Sequence, residues 1–178
     1  MVLIGAGAIG SFILCGLATR SPARIIALDV DEARLATARE LGATDTVNVT
    51  GRDAVAAVLE LTGPAGAQVV IESSGAARSA QRALRMAGRG GRVLLVGLSH
   101  EAQPLDLADA TLREVDMVTT VAHVCGEDMP EALGLLADGR IAGLLLDRVI
   151  GLDALVADGL EKLVAGRAAG KILVDPRS

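Results

Sequence analysis

The 178-residue chain alternates short continuous apolar runs with stretches in which apolar residues return every three or four positions. The first kind reads as strands buried on both faces, the second as helices laid against a sheet. Val2-Leu3-Ile4 is the first run, and Ile9, Phe12, Ile13, Gly16 and Leu17 then share one helical face that ends near Thr19 to Pro22. Arg24-Ile25-Ile26-Ala27-Leu28-Asp29 is a second run, closed by a carboxylate. Asp31 to Leu41, rich in Ala, Arg, Leu and Glu, predicts a helix that Gly42 stops, and Thr46 to Val49 a short strand. Val55, Val58, Leu59 and Thr62 predict a third helix, broken by Gly63-Pro64; Gln68 to Glu72 is a fourth strand, and Ala80, Ala83, Leu84 and Ala87 the face of the next helix. The turn Gly88-Arg89-Gly90-Gly91 leads into Arg92 to Gly97, the most hydrophobic strand. Pro104 to Arg113 reads as irregular, and a sixth strand is expected at Asp116 to Ala122.

Strands that alternate with helices of this length pair in parallel through right-handed crossovers. The expected fold is therefore α/β, a doubly wound parallel six-stranded sheet with helices on both faces. Beyond Gly126 the rhythm changes. Met129, Ala132, Leu133 and Leu136 form one more helix, Asp147 to Ile150 a strand, Leu152, Leu155, Val156, Leu160 and Leu163 a long amphipathic helix, and Lys171 to Val174 a last strand. There is no solenoid repeat and no low-complexity linker.

Composition narrows the classes of function. With 51% apolar and 22% charged residues the chain is globular, and its length can bury a proper core. One Phe and no Trp or Tyr leave no stacking platform for single-stranded nucleic acid, and a net charge of -5 is wrong for a phosphate backbone. Nucleic acid is thus excluded as a partner. No apolar run is long enough to cross a bilayer, so no membrane partner is expected. Two cysteines, Cys15 and Cys125, are too few for a disulfide framework, and the expected setting is cytoplasmic.

The first apolar run passes directly into Gly5-Ala6-Gly7-Ala8-Ile9-Gly10, a Gly-x-Gly-x-x-Gly pattern between a strand and a helix. In that context Gly5 permits a tight turn, Gly7 lets the backbone approach a pyrophosphate, and Gly10 lets the helix pack on the strand, with the positive helix end towards the phosphates. An acid is then expected about 20 residues on, at the end of the second strand, to accept from the adenosine ribose. Asp29 occupies that place. An Asp here can also serve as a helix N-cap or a loop carboxylate. Its charge repels a ribose 2'-phosphate, and Val30 follows it in place of an arginine, which favours NAD over NADP. Arg34 reads either as a ribose contact or as a solvated helix residue.

These segments, with Ala38 to Thr44, Val69 to Glu72 with Gly75, Gly90 to Gly97, Glu131 to Leu136 with Gly139-Arg140-Ile141, and Gly170 to Pro176, resemble the cofactor-binding half of the zinc-containing medium-chain alcohol dehydrogenases. The resemblance implies an NAD-binding Rossmann domain at 1–142 and a C-terminal return segment at 143–178. It also implies a separate N-terminal, GroES-like catalytic domain that holds the zinc and most of the substrate pocket, and this sequence lacks it. The implied activity is hydride transfer between an alcohol and nicotinamide, with zinc as Lewis acid. Neither catalytic residues nor metal ligands carry over to positions here. The implied cofactor contacts are Gly5, Gly7, Ala8, Ile9, Gly10, Asp29, Arg34, Ser74, Gly75, Gly97, Leu98 and Val121, with the backbone of Val121 and Ala122 at the carboxamide. The implied partners are a dinucleotide, a small alcohol and further copies of the chain in a homo-oligomer.

Other chemistry-bearing residues have plainer readings. His123-x-Cys125 lacks the further ligands zinc needs. His100 reads as a solvated loop residue, Lys171 as a surface lysine and Cys15 as packing. Glu72 reads as a carboxylate bonded to loop N–H groups rather than a general base. Two alternatives stand beside the dehydrogenase: a stand-alone nucleotide-sensing module, and the zinc-free NADPH-dependent quinone reductases. The latter usually carry an extra small residue in the glycine turn and lack the acid at the position of Asp29.

Overall fold

A computed structural model describes the whole chain except His100, His123, Asp138 and Ala169. Two compact units are present, Met1–His123 and Val124–Ser178.

In the first unit, strands β1 (Val2–Ile4), β2 (Ile26–Asp29), β3 (Asp45–Asn48), β4 (Ala67–Glu72), β5 (Ala87–Leu95) and β6 (Asp116–Thr119) form one parallel sheet in the order β3-β2-β1-β4-β5-β6. Helices α1 (Ala8–Thr19), α2 (Glu32–Glu40), α3 (Ala54–Thr62), α4 (Ser79–Met86) and α5 (Leu107–Leu112) connect them. This is the expected doubly wound arrangement. Val2 stands between Ile26 and Val70, and alternation along the strands splits the core into two layers. Val2, Ile26, Leu28, Val70 and Val93 pack with Val55 and Val58 of α3 and Leu84 and Met86 of α4. Leu3, Ala27 and Ile71 point to the other face, where Leu14 of α1 and Leu35 of α2 are buried. Alanine is frequent in both layers, so the helices need little room.

Helix starts follow from local chemistry. Asp31, Asp53 and Asp106 cap α2, α3 and α5 by accepting backbone N–H bonds. The cap on α5 explains why Pro104 to Arg113, read as irregular, is partly helical: Asp106 starts one short helix, and Arg113 closes it against Asp109 and the carbonyls of Leu84 and Ala87. Strand β5 begins earlier than the glycine turn suggests, because a register shift between Ala67 and Val69 takes up the extra residues around Gly90. Strand β6 stops at Thr119, short of the expected Ala122, where the backbone turns left-handed at φ +63°.

In the second unit, α6 (Cys125–Leu136) and α7 (Arg140–Leu145) precede β7 (Leu146–Gly151), which pairs in parallel with β8 (Lys171–Asp175). Between the strands the expected amphipathic helix is a composite: a 3-10 turn (Leu152–Ala154), a wide π segment (Leu155–Leu160) and α8 (Glu161–Val164). The wide turns set Gly159 against Ile150, where an added Cβ would lie 3.3 Å from the Ile150 Cδ1. Among the described residues no helix is long and apolar enough to cross a membrane.

At the N-terminal edge of the sheet Arg24 grips both oxygens of Asp45, at 2.7 and 2.8 Å, and also donates to the Leu61 carbonyl. The bond from Arg24 holds the Asp45 carboxyl below its ordinary range. A depressed folded pKa contributes stability that is present above the unfolded value of about 3.9 and lost as pH falls through the folded value. Asp45→Asn is therefore expected to flatten the acid limb of stability against pH. Urea unfolding at intervals between about pH 3 and pH 6 checks it.

Candidate functional site

The sheet order reverses between β1 and β4, and in doubly wound sheets the crevice that takes a ligand lies at such a reversal, outside the C-terminal strand ends. Gly5 turns the chain out of β1 at φ +93°, a conformation that side chains oppose, while its N–H donates to the Leu28 carbonyl at 2.8 Å. Gly10 lies directly on that turn: an added Cβ would sit 1.9 Å from the Gly5 carbonyl oxygen. Gly7, the N-cap of α1, is different. A Cβ there would meet nothing closer than the Arg34 Nη1 at 3.9 Å, and no side chain caps the helix. The first turn, with Ala8 and with Ile9 half exposed, thus offers backbone N–H groups to open space.

On the β2 side, Asp29 is 8% exposed and gathers three backbone donors. Ala6 N donates to Oδ2 at 2.7 Å; Val30 N and Asp31 N donate to Oδ1 at 2.8 and 3.1 Å. Asp29 is therefore bonded to the glycine turn itself, and the N-cap role belongs to Asp31, which accepts from Ala33 N at 2.8 Å. A carboxylate offers about four lone-pair directions, so Oδ2 keeps one for a further donor. The Arg34 guanidinium lies at the outer limit of ion pairing with both acids, 3.9 Å from Asp29 and 4.0 Å from Asp31.

On the β4 side, Glu72 is 2% exposed, and its Oε1 accepts from Ser74 N, Ser74 Oγ and Gly75 N at 2.8, 2.5 and 3.0 Å. This is the loop-bonded carboxylate that the sequence suggests. The Ser73 hydroxyl reaches the carbonyls of Ile4 and Gly5, both at 3.0 Å, and ties this loop to the glycine turn. Gly75 backs onto Leu98, and Gly97 onto Gly75 and Glu72, each too close for a Cβ. Beyond β6, Val121 is 76% exposed beside the left-handed Ala122, and Thr120 N donates to the Leu95 carbonyl at 3.2 Å. Left-handed Ala is strained, and such residues concentrate at functional sites.

The family model for zinc-binding dehydrogenases matches residues 8–138. The chain belongs to the zinc-binding dehydrogenase family. L-threonine 3-dehydrogenase of Bacillus licheniformis is 30% identical over 142 residues, which make up 79% of this chain and 41% of that protein. Sorbitol dehydrogenase of Arabidopsis thaliana is 33% identical over 145 residues, 79% of this chain and 39% of that one. The crystal structure of 2R,3R-butanediol dehydrogenase from Bacillus subtilis superposes with a TM-score of 0.85 at 26% identity, covering 98% of this chain and 50% of that one. The chain spans about half the length of these relatives, or less.

Most residues singled out from the zinc-binding dehydrogenase resemblance meet at this edge. Gly5, Gly10, Ser74, Gly75, Gly97 and Leu98 form one contiguous surface, with Gly7, Asp29 and Arg34 adjoining it. Val121, largely exposed, follows β6. The hydroxyl bonds of Ser73 to Ile4 and Gly5 have no signature in the sequence: a serine two residues before a loop glycine carries no pattern that announces a bond to a distant turn. The readings of His100 and His123 fall outside the described residues. Among the described residues no group of three or more His, Cys, Asp or Glu side chains could hold a metal ion. Gly10→Ala is expected to cost about 3 kcal/mol or prevent folding, and Gly7→Ala to stay within about 1 kcal/mol of wild type. Urea unfolding of both variants checks the contrast.

Proposed function

We propose that residues 1–142 are the NAD-binding part, and 143–178 the return segment, of a zinc-dependent dehydrogenase that transfers hydride between a primary or secondary alcohol, such as a polyol, and nicotinamide. One observation carries the reading: the uncapped N-terminus of α1 opens over Gly7 between a strand-end carboxylate and the Ser74–Gly75 loop. The names of the relatives, which act on threonine, sorbitol and butanediol, support an alcohol substrate. When bound, the dinucleotide supplies the nicotinamide carbon that accepts or returns hydride.

The chain's own residues then bind and orient. Ala8 and Ile9 N–H groups receive the pyrophosphate, aided by the helix dipole. Asp29 accepts from the adenosine ribose through its remaining lone pair, and Arg34 lies beside it. Ser74, Gly75, Gly97, Leu98 and Val121 border the second half of the crevice. Asp29, Asp31 and Glu32 stand together at the β2 end, and their charge opposes a 2'-phosphate, which supports NAD over NADP. The zinc ligands belong, on this reading, to sequence outside this chain, so the 178 residues bind dinucleotide with little catalysis of their own. A cytoplasmic homo-oligomer completes the picture.

Calorimetric titration tests it. NADH is expected to bind at least about tenfold more tightly than NADPH, and Gly7→Val to weaken NADH binding by about tenfold or more. NADPH binding as tight as NADH would overturn the cofactor assignment. Asp29→Asn removes the charge but keeps an acceptor for Ala6 N. It is expected to narrow the NADH preference while costing about 1–3 kcal/mol of stability from weakened loop bonds.

A further inference from the structure

Buried carboxylates stand on both sides of β1. In the order β2-β1-β4, Ile4 pairs with Leu28 on one side, one residue before Asp29, and with Glu72 on the other. Asp29 draws in the glycine turn. Glu72 draws in the Ser73–Gly75 loop, and the donors that reach its carboxylate among the described residues all come from that loop. Its backbone carbonyl also accepts from Val96 N and Gly97 N at 2.8 and 3.0 Å, so the same residue anchors the loop after β5. The two loops close on it without side chains between them: a Cβ on Gly97 would lie 2.5 Å from Glu72 Oε2 and 2.3 Å from Gly75 N. A residue needed only to fill space here would be apolar, since a buried carboxylate is costly unless donors surround it.

In a doubly wound sheet each βαβαβ half takes one mononucleotide of a dinucleotide. The glycine turn and Asp29 lie in the half built from β1 to β3. The Ser73–Gly75 and Gly97–Leu98 loops lie in the half built from β4 to β6.

We infer that Glu72 is the positioning residue of this second half, its carboxylate holding the Ser73–Gly75 loop against the Gly97–Leu98 loop at the spacing that the nicotinamide mononucleotide requires. The inference rests on the reading of this edge as a dinucleotide site. Glu72 does not touch the ligand; it acts through the two loops. What it supplies is an acceptor at a fixed reach from β4. Glu72→Gln keeps Oε1 in place for its donors, whereas Glu72→Asp withdraws the carboxylate by one methylene while keeping its charge.

Calorimetric titration of the 178-residue chain with NADH and, separately, with AMP tests the assignment, with circular dichroism to confirm folding. Glu72→Ala and Glu72→Asp are expected to weaken NADH binding by at least about tenfold while AMP binding stays within about twofold, and Glu72→Gln to restore NADH binding to within about threefold. A residue that only supported the fold would lower stability without separating the two ligands. Should Glu72→Ala fail to fold, the Asp and Gln variants decide by their order alone. Variants that lose both ligands in parallel, or that lose neither, overturn the inference while wild-type binding of both leaves the site reading intact. Wild type that binds neither ligand overturns both.

Discussion

Strands in a parallel sheet stop abruptly, and the backbone N–H groups of the loops that follow need acceptors that water does not supply. At the C-terminal edge of this sheet the bond from Ala6 N to Asp29 Oδ2, at 2.7 Å, meets that need and fixes the shape of everything around it. Without it the turn through Gly5 would leave a buried donor unpaired at the point where Gly10 brings α1 to within van der Waals contact of β1. The glycines and the acid are thus one device. The glycines remove side chains so that backbone can approach backbone, and the acid satisfies the polar groups which that approach strands.

The same logic governs the other side of β1. Glu72 accepts the loop donors and the Ser73 hydroxyl donates to the glycine turn, so these loops are held together by the protein's own bonds. Preorganisation of this kind lowers the ordering cost of binding anything at this edge, because the loops there are already held. What is left unpaired is the first turn of α1 at the centre of the crevice, and there a ligand with negative charge is favoured.

Much of this was legible in the sequence, and for physical reasons. Buried parallel strands need continuous apolar runs, so Val2-Leu3-Ile4 and Ile25 to Leu28 announce themselves, and the spacing from Gly5 to Asp29 follows from the length of one βαβ unit. Strand ends were harder. The stop of β6 at Thr119, shortly before a left-handed Ala122, and the early start of β5, with its register shift against β4, leave no compositional trace. The composite helix at 152–164 has a sound amphipathic pattern, but that pattern does not distinguish its 3-10 and π turns from an α-helix. At the site, residue types gave the acids and glycines, whereas Ser73 acts through a hydroxyl aimed at a turn 68 residues earlier.

The parallel pairing of β7 and β8 has a consequence for how the second unit comes apart. An antiparallel hairpin can be held by its own turn, but parallel neighbours stay in register only while the crossover between them is folded. Here the crossover is the composite run from Leu152 to Val164, and Leu145 and Ile150 are the buried hydrophobic residues of the unit among those described. If that run unfolds, neither strand keeps its register, so amides of β7, the crossover and β8 are expected to share one opening free energy.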